Sequence, residues 1–376
     1  MIADCDAGLV DMVITKSISR FARNTQDCLE YSRRLKELGI PIVFEKENIN
    51  TMDASGELLF TILSSLAQEE SRNISENCKW AIRHNFQKGK ASLNTKLFMG
   101  YDMSEEGKLV INKEQAKIVK RIFREFEEGL TPTQIGLNLQ ADGVQGLRSN
   151  TWPNQGILMM LKNEKYCGDL LMQKTYTVDY LTKKKVRNRG EVEQYFIEGD
   201  HEAIIPKDEW LAVQMEIERR EAYRQEVMTQ TYGKAVSPFS NHLVCSKCGK
   251  VYGRCSWSRN GIYFWRCQGK RDGAEGCNGE AVFEEQIYKA FRIAWNSTCK
   301  KKGEYKERWD AMIKEGNPLE RLRAKQMIEL TKEGPVDCNV PELIRMVLER
   351  MIVISKTEFE VRLLDGTVQK VCVGEE

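Results

Sequence analysis

The protein has 376 residues, of which 41% are hydrophobic and 30% are charged, and its mean hydropathy is −0.50. Its longest apolar runs, such as LLFTILSSLA at 58–67, are shorter than the ~20 residues that a membrane-spanning helix needs. The formal net charge of +2 excludes a uniformly basic chain, but 162–191 holds eight Lys and Arg against four Asp and Glu. The length predicts several domains, and MIADCDAG does not resemble a signal peptide, so we expect a cytoplasmic location.

The first elements predict a βαβ unit. GLVDMVIT (8–15) reads as a buried strand, TQDCLEYSRRLKEL (25–38) as a helix, and IPIVFEKE (40–47) as a second strand. Strand, helix and strand at this spacing are typical of a parallel sheet covered by helices. A long helical pattern over 57–88 follows, with an apolar first half and a polar second half that reads as a connector.

Three further helices are predicted in the middle of the chain, at 114–129, 131–144 and 152–168. Their tight connections suit a helix-turn-helix reader of DNA, although a plain helical bundle has the same pattern. A charged loop, KKKVRNRG at 183–190, precedes a helix at about 207–228.

Twelve cysteines without a secretory signal argue against a disulfide framework, and four of them have metal-ligand spacing. Cys245 and Cys248 form a Cys-x2-Cys knuckle, and Cys267 and Cys277 follow it. Four thiolates in this arrangement predict a tetrahedral, structural Zn²⁺ site in a zinc ribbon. Such ribbons bind DNA, RNA or protein, so the spacing leaves the role of the ribbon open.

The remaining C-terminal sequence predicts short charged helices, broken at Gly316-Asn317-Pro318, and then a β-hairpin. The hairpin pairs EFEVRLL with TVQKV across Asp365-Gly366, a typical turn dipeptide.

Arg20 and Arg23 stand just beyond the first strand, in KSISRFARN. A guanidinium suits two phosphate oxygens and the charge that develops during phosphoryl transfer. If residues 19–24 begin a helical turn, the two side chains project to one side. The alternative is a surface pair that forms salt bridges with Asp or Glu.

Taken together, the motifs VDMVITKSISRFARN, LLFTILSSLAQEESRNISENCKWAIRHNFQKG, GYDMSEEGKLVINKEQAKIVKRIFREFEEGLTPTQIGLNL and the cysteine ribbon resemble the large serine recombinases of the resolvase/invertase superfamily. The resemblance implies site-specific DNA recombination through a phosphoserine intermediate and a multidomain α/β and α+β fold. The domains that it implies are a partial resolvase-like parallel sheet with a long connector helix (1–88), a mixed α/β DNA-binding domain (89–228), the zinc ribbon (238–281), a short helical segment (282–335) and a C-terminal α/β tail with the hairpin (336–376).

The resemblance also assigns residues and partners. Arg20 and Arg23 match the arginines that stabilise the phosphate under attack, and helix 57–88 matches the element through which subunits associate. The implied partner is a double-stranded DNA attachment site. The residues expected to contact this DNA are Trp152, Lys183, Lys184, Lys185, Arg187, Arg189, Lys247 and Arg254.

Two departures from the family pattern qualify these expectations. Ser19 stands where many members carry Asp, and a neutral hydroxyl cannot supply a carboxylate's charge. No motif like Y-x-R-V-S-T, which carries the nucleophilic serine, occurs in the sequence, so we expect an N-terminally truncated recombinase that binds DNA without forming a covalent adduct. The alternative is a non-enzymatic, zinc-containing protein that occupies recombination sites.

Overall fold

The structure is a computed structural model, and it describes residues 1–22, 25–89, 98–105, 107–146, 151–178, 183–227, 237–256, 262–271 and 277–374. The chain divides into two compact units, and each is described by itself. The first unit comprises Met1–Ser92 with Leu171–Phe196, and the second comprises Leu93–Leu170 with Ile197–Glu376.

The first unit contains the predicted βαβ arrangement. Strand β1 pairs in parallel with β2, with Val13 opposite Ile42, and β3 extends the sheet in antiparallel fashion. Leu35 of the intervening helix is fully buried against Ile42 and Phe44 of β2. The elements of this segment are α1 (Ile2–Asp6), β1 (Val13–Thr15), α2 (Ile18–Phe21), α3 (Thr25–Glu37), β2 (Ile42–Phe44), β3 (Ile49–Asn50) and α4 (Ala54–Gln87).

The long helix predicted over 57–88 is confirmed as α4, but its apolar first half is not buried as one face. Leu63 packs into the core of the unit and is 6% exposed, whereas Leu58, Ile62 and Leu66 are 63%, 48% and 54% exposed. These three side chains recur every four residues and therefore form an apolar stripe along one side of the helix.

The middle of the chain forms the predicted helices, which pack around a core that includes Val119, Phe123, Ile135 and Ile157. Thr131 starts α6 with a capping box, because its side chain accepts from the Gln134 amide and the Gln134 side chain accepts from the Thr131 amide. The elements are β4 (Tyr101–Met103), β5 (Leu109–Ile111), α5 (Lys113–Glu127), α6 (Pro132–Ala141), α7 (Asn154–Leu161), β6 (Leu170–Met172), β7 (Thr175–Thr177), β8 (Lys185–Arg187), β9 (Tyr195–Ile197) and α8 (Lys207–Val227).

The short helix predicted to start in 152–168 is α7, and it ends at Leu161. After α7 the side chain of Asn163 accepts a hydrogen bond from the Lys165 amide, and a 3₁₀ turn, Glu164–Cys167, follows. Gly168 then takes φ = +85°, a left-handed conformation that ends the turn.

The C-terminal part of the second unit has one hydrophobic core that joins the cysteine ribbon to everything after it. Trp265 of the ribbon, Trp295 and Met351 belong to the same buried cluster. The elements are β10 (Leu243–Cys245), β11 (Tyr252–Ser256), β12 (Tyr263–Cys267), β13 (Val282–Phe283), α9 (Glu284–Lys300), α10 (Lys302–Glu315), α11 (Pro318–Glu333), α12 (Pro341–Val347), β14 (Leu348–Val353), β15 (Glu358–Leu363) and β16 (Val368–Cys372).

The predicted hairpin over the C-terminal segment is confirmed, and it belongs to a larger sheet. β15 pairs with β16 across a turn in which Gly366 has φ = +83°. The sheet order is β10-β14-β15-β16, so the first ribbon strand lies in parallel beside β14. Among the described residues, no helix is both long and apolar enough to cross a membrane.

Candidate nucleic-acid interface and metal centre

Arg20 lies at the carboxyl end of a parallel strand. The chain leaves β1 at Thr15, and α2 begins after Ser17, whose carbonyl oxygen accepts from the Arg20 amide at 3.0 Å. The carboxyl ends of parallel strands are where open α/β sheets bind their ligands. The Arg20 side chain is exposed there, and among the described residues it has no acidic partner, so the salt-bridge interpretation has no support for this arginine.

A short helical turn, α2, does follow the first strand, at Ile18–Phe21. α2 stops at Phe21, whose ring packs edge-on against Phe44 at 5.8 Å, and Ala22 is extended with φ = −141° and ψ = 155°. Arg23 lies outside the described residues, so the expectation that it projects to the same side as Arg20 stays a prediction. The side chain of Ser19 also lies outside the described part of the structure. The side chain of Ser17 is buried, 7% exposed.

The basic loop predicted near residue 185 forms one arm of a hairpin in the first unit. β7 and β8 pair in antiparallel fashion, with Thr177 opposite Lys185. All five basic side chains that the sequence analysis assigned to this segment are exposed: Lys183, Lys184, Lys185, Arg187 and Arg189. Asn188 fixes the base of the arm, since its amide donates to the carbonyl oxygens of Gln173 (3.0 Å) and Val192 (2.6 Å).

Trp152 has a packing role instead of an exposed one. Its indole N–H donates to the carbonyl oxygen of Val144 at 2.8 Å, and the ring packs against the core of the middle helices. A Cβ on Gly136 would stand 2.4 Å from the carbonyl oxygen of Trp152, which shows how closely α6 approaches this segment. Trp152 therefore contributes to folding, and the DNA contact expected of it stays a prediction. Nearby, α7 exposes Asn154, Gln155 and Met159.

Lys247 and Arg254, the two residues of the ribbon that are expected to contact DNA, have different surroundings. Lys247 is exposed and makes a long hydrogen bond, 3.5 Å, to the carbonyl oxygen of Asn278. Arg254 is held by Glu284 through two hydrogen bonds of 2.5 and 2.9 Å and lies 3.6 Å from the centre of the Tyr263 ring. Because Glu284 neutralises its charge, Arg254 connects β11 to α9 and is not available to a phosphate in this conformation.

The four predicted cysteine ligands come together. The Sγ atoms of Cys245, Cys248, Cys267 and Cys277 all lie within 4.8 Å of one another. Cys245 and Cys277 are 3.7 Å apart and Cys248 and Cys267 are 3.4 Å apart, close to the separation of about 3.8 Å that tetrahedral Zn–S bonds require.

Glycines let the backbone close around these sulfur atoms. A Cβ on Gly269 would stand 3.0 Å from the Cys248 sulfur, and one on Gly279 would stand 3.2 Å from the Cys245 sulfur. Burial acts to raise the pKa of Cys245, but hydrogen bonds from the amides of Lys247 and Cys248 outweigh burial and lower it. The donor set therefore fits a thiolate-bound metal ion.

A second basic cluster, in the second unit, was not predicted from the sequence. Lys117, Lys120, Arg121 and Arg124 line one wall of a cavity. Their i, i+3, i+4, i+7 spacing places them on one face of α5, while Val119, Ile122, Phe123 and Phe126 bury the other face. This spacing was the available signal, but only the apolar face was used to identify the helix.

Known protein families match the chain in the order of these elements. The family described as Resolvase, N terminal domain, matches residues 1–91, the Recombinase family matches 113–220, and the Recombinase zinc beta ribbon domain matches 238–295. The chain therefore combines a resolvase-type domain, a recombinase domain and a zinc ribbon in that order. The chain belongs to the large serine recombinases.

Individual relatives match parts of the chain. A putative DNA recombinase of Bacillus subtilis (strain 168) is 26% identical over 299 residues, which are 74% of this chain and 57% of that protein. The transposon Tn3 resolvase of Escherichia coli is 32% identical over 66 residues, which are 18% of this chain and 36% of the resolvase. The chain thus spans about half the length or less of these relatives. One solved structure, described as an LSR–DNA complex, is 19% identical to this chain. The match covers 76% of this chain and 95% of the chain in that structure, with a TM-score of 0.40.

Proposed function

We propose that this protein acts in site-specific DNA recombination and contributes Arg20, which stabilises the charge that develops when a serine hydroxyl attacks the scissile phosphate and the 3′ oxygen of the cut strand leaves. No motif for that serine occurs in the sequence, and none of its serines is proposed as the nucleophile. The observation that carries the proposal is the exposed guanidinium of Arg20 at the carboxyl end of β1, which has no ion pair among the described residues and lies within the segment that matches the resolvase domain. A fixed guanidinium beside a reacting phosphate lowers the barrier because the negative charge grows as the new bond forms. Arg23 is proposed to share this role.

DNA is proposed to be held by two separate surfaces. The exposed cations of the β7–β8 hairpin suit the phosphate backbone, since lysine and arginine contacts to phosphates supply most of the affinity of such interfaces. In the second unit, α7 follows two helices in the manner of a recognition helix, and its exposed Asn154 and Gln155 are amides that pair with adenine edges. Lys247 is proposed to add a phosphate contact from the ribbon.

Self-association is proposed to use the apolar stripe of α4. Leu58, Ile62 and Leu66 are about half exposed or more, and three such side chains at i, i+4, i+8 form a narrow seam that a second helix can cover. The match of this helix to the resolvase domain supports the same role.

The metal of the cysteine cluster is proposed to be Zn²⁺ with a structural role. Four sulfur ligands saturate a tetrahedral ion and leave no position for a substrate.

Zinc bound to purified protein is expected at about one ion per chain, measured by atomic emission. Cys248→Ser should lower this content, whereas Cys338→Ser, an exposed cysteine away from the cluster, should not. Equal zinc in both variants would contradict the assignment.

The role of Arg20 is best tested on the native gene in its own element, by quantifying the excised junction. Arg20→Ala should reduce excision by roughly 100-fold or more, as expected when a group that stabilises transition-state charge is removed. Lys46→Ala is the matched control, because Lys46 is an exposed cation of the same unit whose backbone amide, and not its side chain, bonds to Lys16.

The same experiment separates the proposal from its alternative. Gel-shift binding to the element ends should be retained by Arg20→Ala, because one phosphate contact among many is lost. If the wild-type protein binds these ends but no excision occurs, or if Arg20→Ala excises as well as Lys46→Ala, the non-enzymatic DNA-binding function is favoured instead.

A further inference from the structure

A cavity of about 910 Å³ lies in the second unit between α5, the start of α8 and α11. Its volume is within the range of about 300–1,000 Å³ that small-molecule sites occupy. No residue of α6 or α7 is among the described residues that line it, so it is separate from the proposed recognition helix.

Two helices that are distant in sequence bring cations to this cavity. α5 contributes Lys117, Lys120, Arg121 and Arg124, and α11 contributes Arg321 and Lys325. Convergence of like charges is unfavourable unless anions offset it. The positive charge of Arg121 is offset by ion pairs with Glu125 and Asp142, and that of Arg321 by an ion pair with Asp208.

The other cations of the cavity have weak ion pairs with acidic residues or, among the described residues, none. Lys117 has a pair with Glu114 in which both side chains are more than 70% exposed, and Arg124 has a long contact of 3.7 Å with Glu128. Exposed pairs of this kind contribute little. Lys120 and Lys325 have no ion pair in the part of the chain that the structure describes.

Burial disfavours the charged form of two acidic residues of the lining, Glu127 and Glu209, although Lys120 acts against this at Glu209. Burial, with the neighbouring carboxylate of Glu209, raises the pKa of Glu127 to about 8, and burial also raises the pKa of Glu209. Glu127 is therefore largely protonated at neutral pH. Two polar atoms of the lining, Glu127 Oε1 and Arg321 Nε, are buried without a hydrogen-bond partner, which in a native protein calls for an explanation such as a bound group.

The floor of the cavity is apolar. Pro206, Leu322 and Pro318 contribute to it, together with the buried side chains of Ile204 and Ile205. A ligand that suits this cavity combines an anionic part for the basic walls with a flat or apolar part for the floor.

We propose that the α5–α11 cavity binds a phosphorylated small molecule of the nucleoside polyphosphate class, with its phosphates on Lys120, Arg124 and Lys325 and its ring on the floor. Duplex DNA is a poorer match, because its phosphates lie on a convex surface and cannot place an apolar group on the floor of a concave site.

The test measures binding of three probes to the full chain by calorimetry: ATP, inorganic pyrophosphate and adenosine. ATP should bind saturably, pyrophosphate more weakly and adenosine least, because the phosphates provide the charge-assisted contacts. Lys120→Ala combined with Lys325→Ala should weaken ATP binding at least about tenfold, since each lost hydrogen bond to a charged group typically costs about this factor or more.

The control combines Lys113→Ala with Lys314→Ala, which removes two exposed lysines from the same unit outside the cavity. It should bind ATP as the wild type does, and thermal melting should show that both double variants are folded. Equal loss in both variants, or saturable binding of none of the probes, would overturn the proposal. Displacement of ATP by duplex DNA, with pyrophosphate failing to bind, would also overturn it and assign the cavity to the nucleic-acid interface.

Discussion

At the scale of single residues, Glu216 of α8 shows how this protein accommodates buried charge. Its side chain is 3% exposed and accepts hydrogen bonds from Arg219 and Arg220, and Arg323 of α11 lies 2.8 Å away. Burial acts to raise the pKa of Glu216, but the three guanidinium groups outweigh it and hold that pKa well below its usual 4.5. The carboxylate therefore joins α8 to α11 as an ion.

We expect Glu216→Ala to lower the free energy of unfolding by roughly 3–5 kcal/mol, because it leaves buried arginines without their counter-ion. Urea denaturation near neutral pH measures this loss. Glu221→Ala, which removes an exposed partner of Arg224, should cost less than about 1 kcal/mol. Equal costs for the two variants would contradict a special role for the buried carboxylate.

The contribution of Glu216 to the stability of the protein should decrease as the pH falls. A carboxyl whose folded-state pKa is lowered stabilises the protein above its unfolded-state pKa, here near 4.5, and this stabilisation disappears as the pH falls further. The stability difference between wild type and Glu216→Gln should therefore shrink from about pH 7 to about pH 3. A constant difference over that range would contradict the ionised network.

At the scale of elements, local signals in the sequence were sufficient for helices, caps and the hairpin, but not for pairings between distant segments. Thr131 and Gln134 mark the start of α6 within four residues, and Asp365-Gly366 marks the hairpin turn directly. The pairing of β10 with β14 joins residues more than 100 positions apart, and β14 follows α12 without a turn signal. No local pattern indicates such a partner.

Residues of the candidate site were likewise predictable only where a local pattern in the sequence identifies them. The Cys-x2-Cys knuckle identified the metal ligands because their chemistry and spacing are specific. Trp152 and Arg254 were chosen by residue type, and their partners, Val144 and Glu284, are recognisable only in three dimensions. A lone aromatic or arginine in a sequence does not show whether the fold already uses it.

The pairing of β10 with β14 makes the ribbon depend on the C-terminal sheet. Cys245 ends β10, opposite Val353, and Met351 of β14 is fully buried in the shared core. We expect Met351→Ala to cost roughly 2–5 kcal/mol by leaving a cavity and to speed the release of zinc to a chelator. Ile354→Ala, at a 40% exposed position just beyond the strand, should do neither. Destabilisation by Met351→Ala without faster zinc release would contradict this coupling.

At the scale of the whole molecule, charge is distributed so that net charge says little about DNA binding. The formal net charge is +2, and residues 1–80 hold nine basic against thirteen acidic residues. The proposed attraction to DNA therefore depends on local groups, and the exposed cations of the β7–β8 hairpin are the ones proposed for it. Local phosphate contacts release counter-ions, whereas a weak overall charge contributes little at distances beyond the Debye length.

This distribution leads to a quantitative expectation for the salt dependence of DNA affinity. Each phosphate contact contributes about 0.9 to the slope of log K against log salt, so Lys184→Ala combined with Lys185→Ala should reduce the slope by about 2. Lys301→Ala combined with Lys302→Ala removes the same charge from an exposed helix junction and should leave the slope unchanged. Gel-shift titrations over a range of salt concentrations measure both. If the two double variants change the slope equally, net charge and not the hairpin governs the attraction, and the hairpin is then not a phosphate-binding surface.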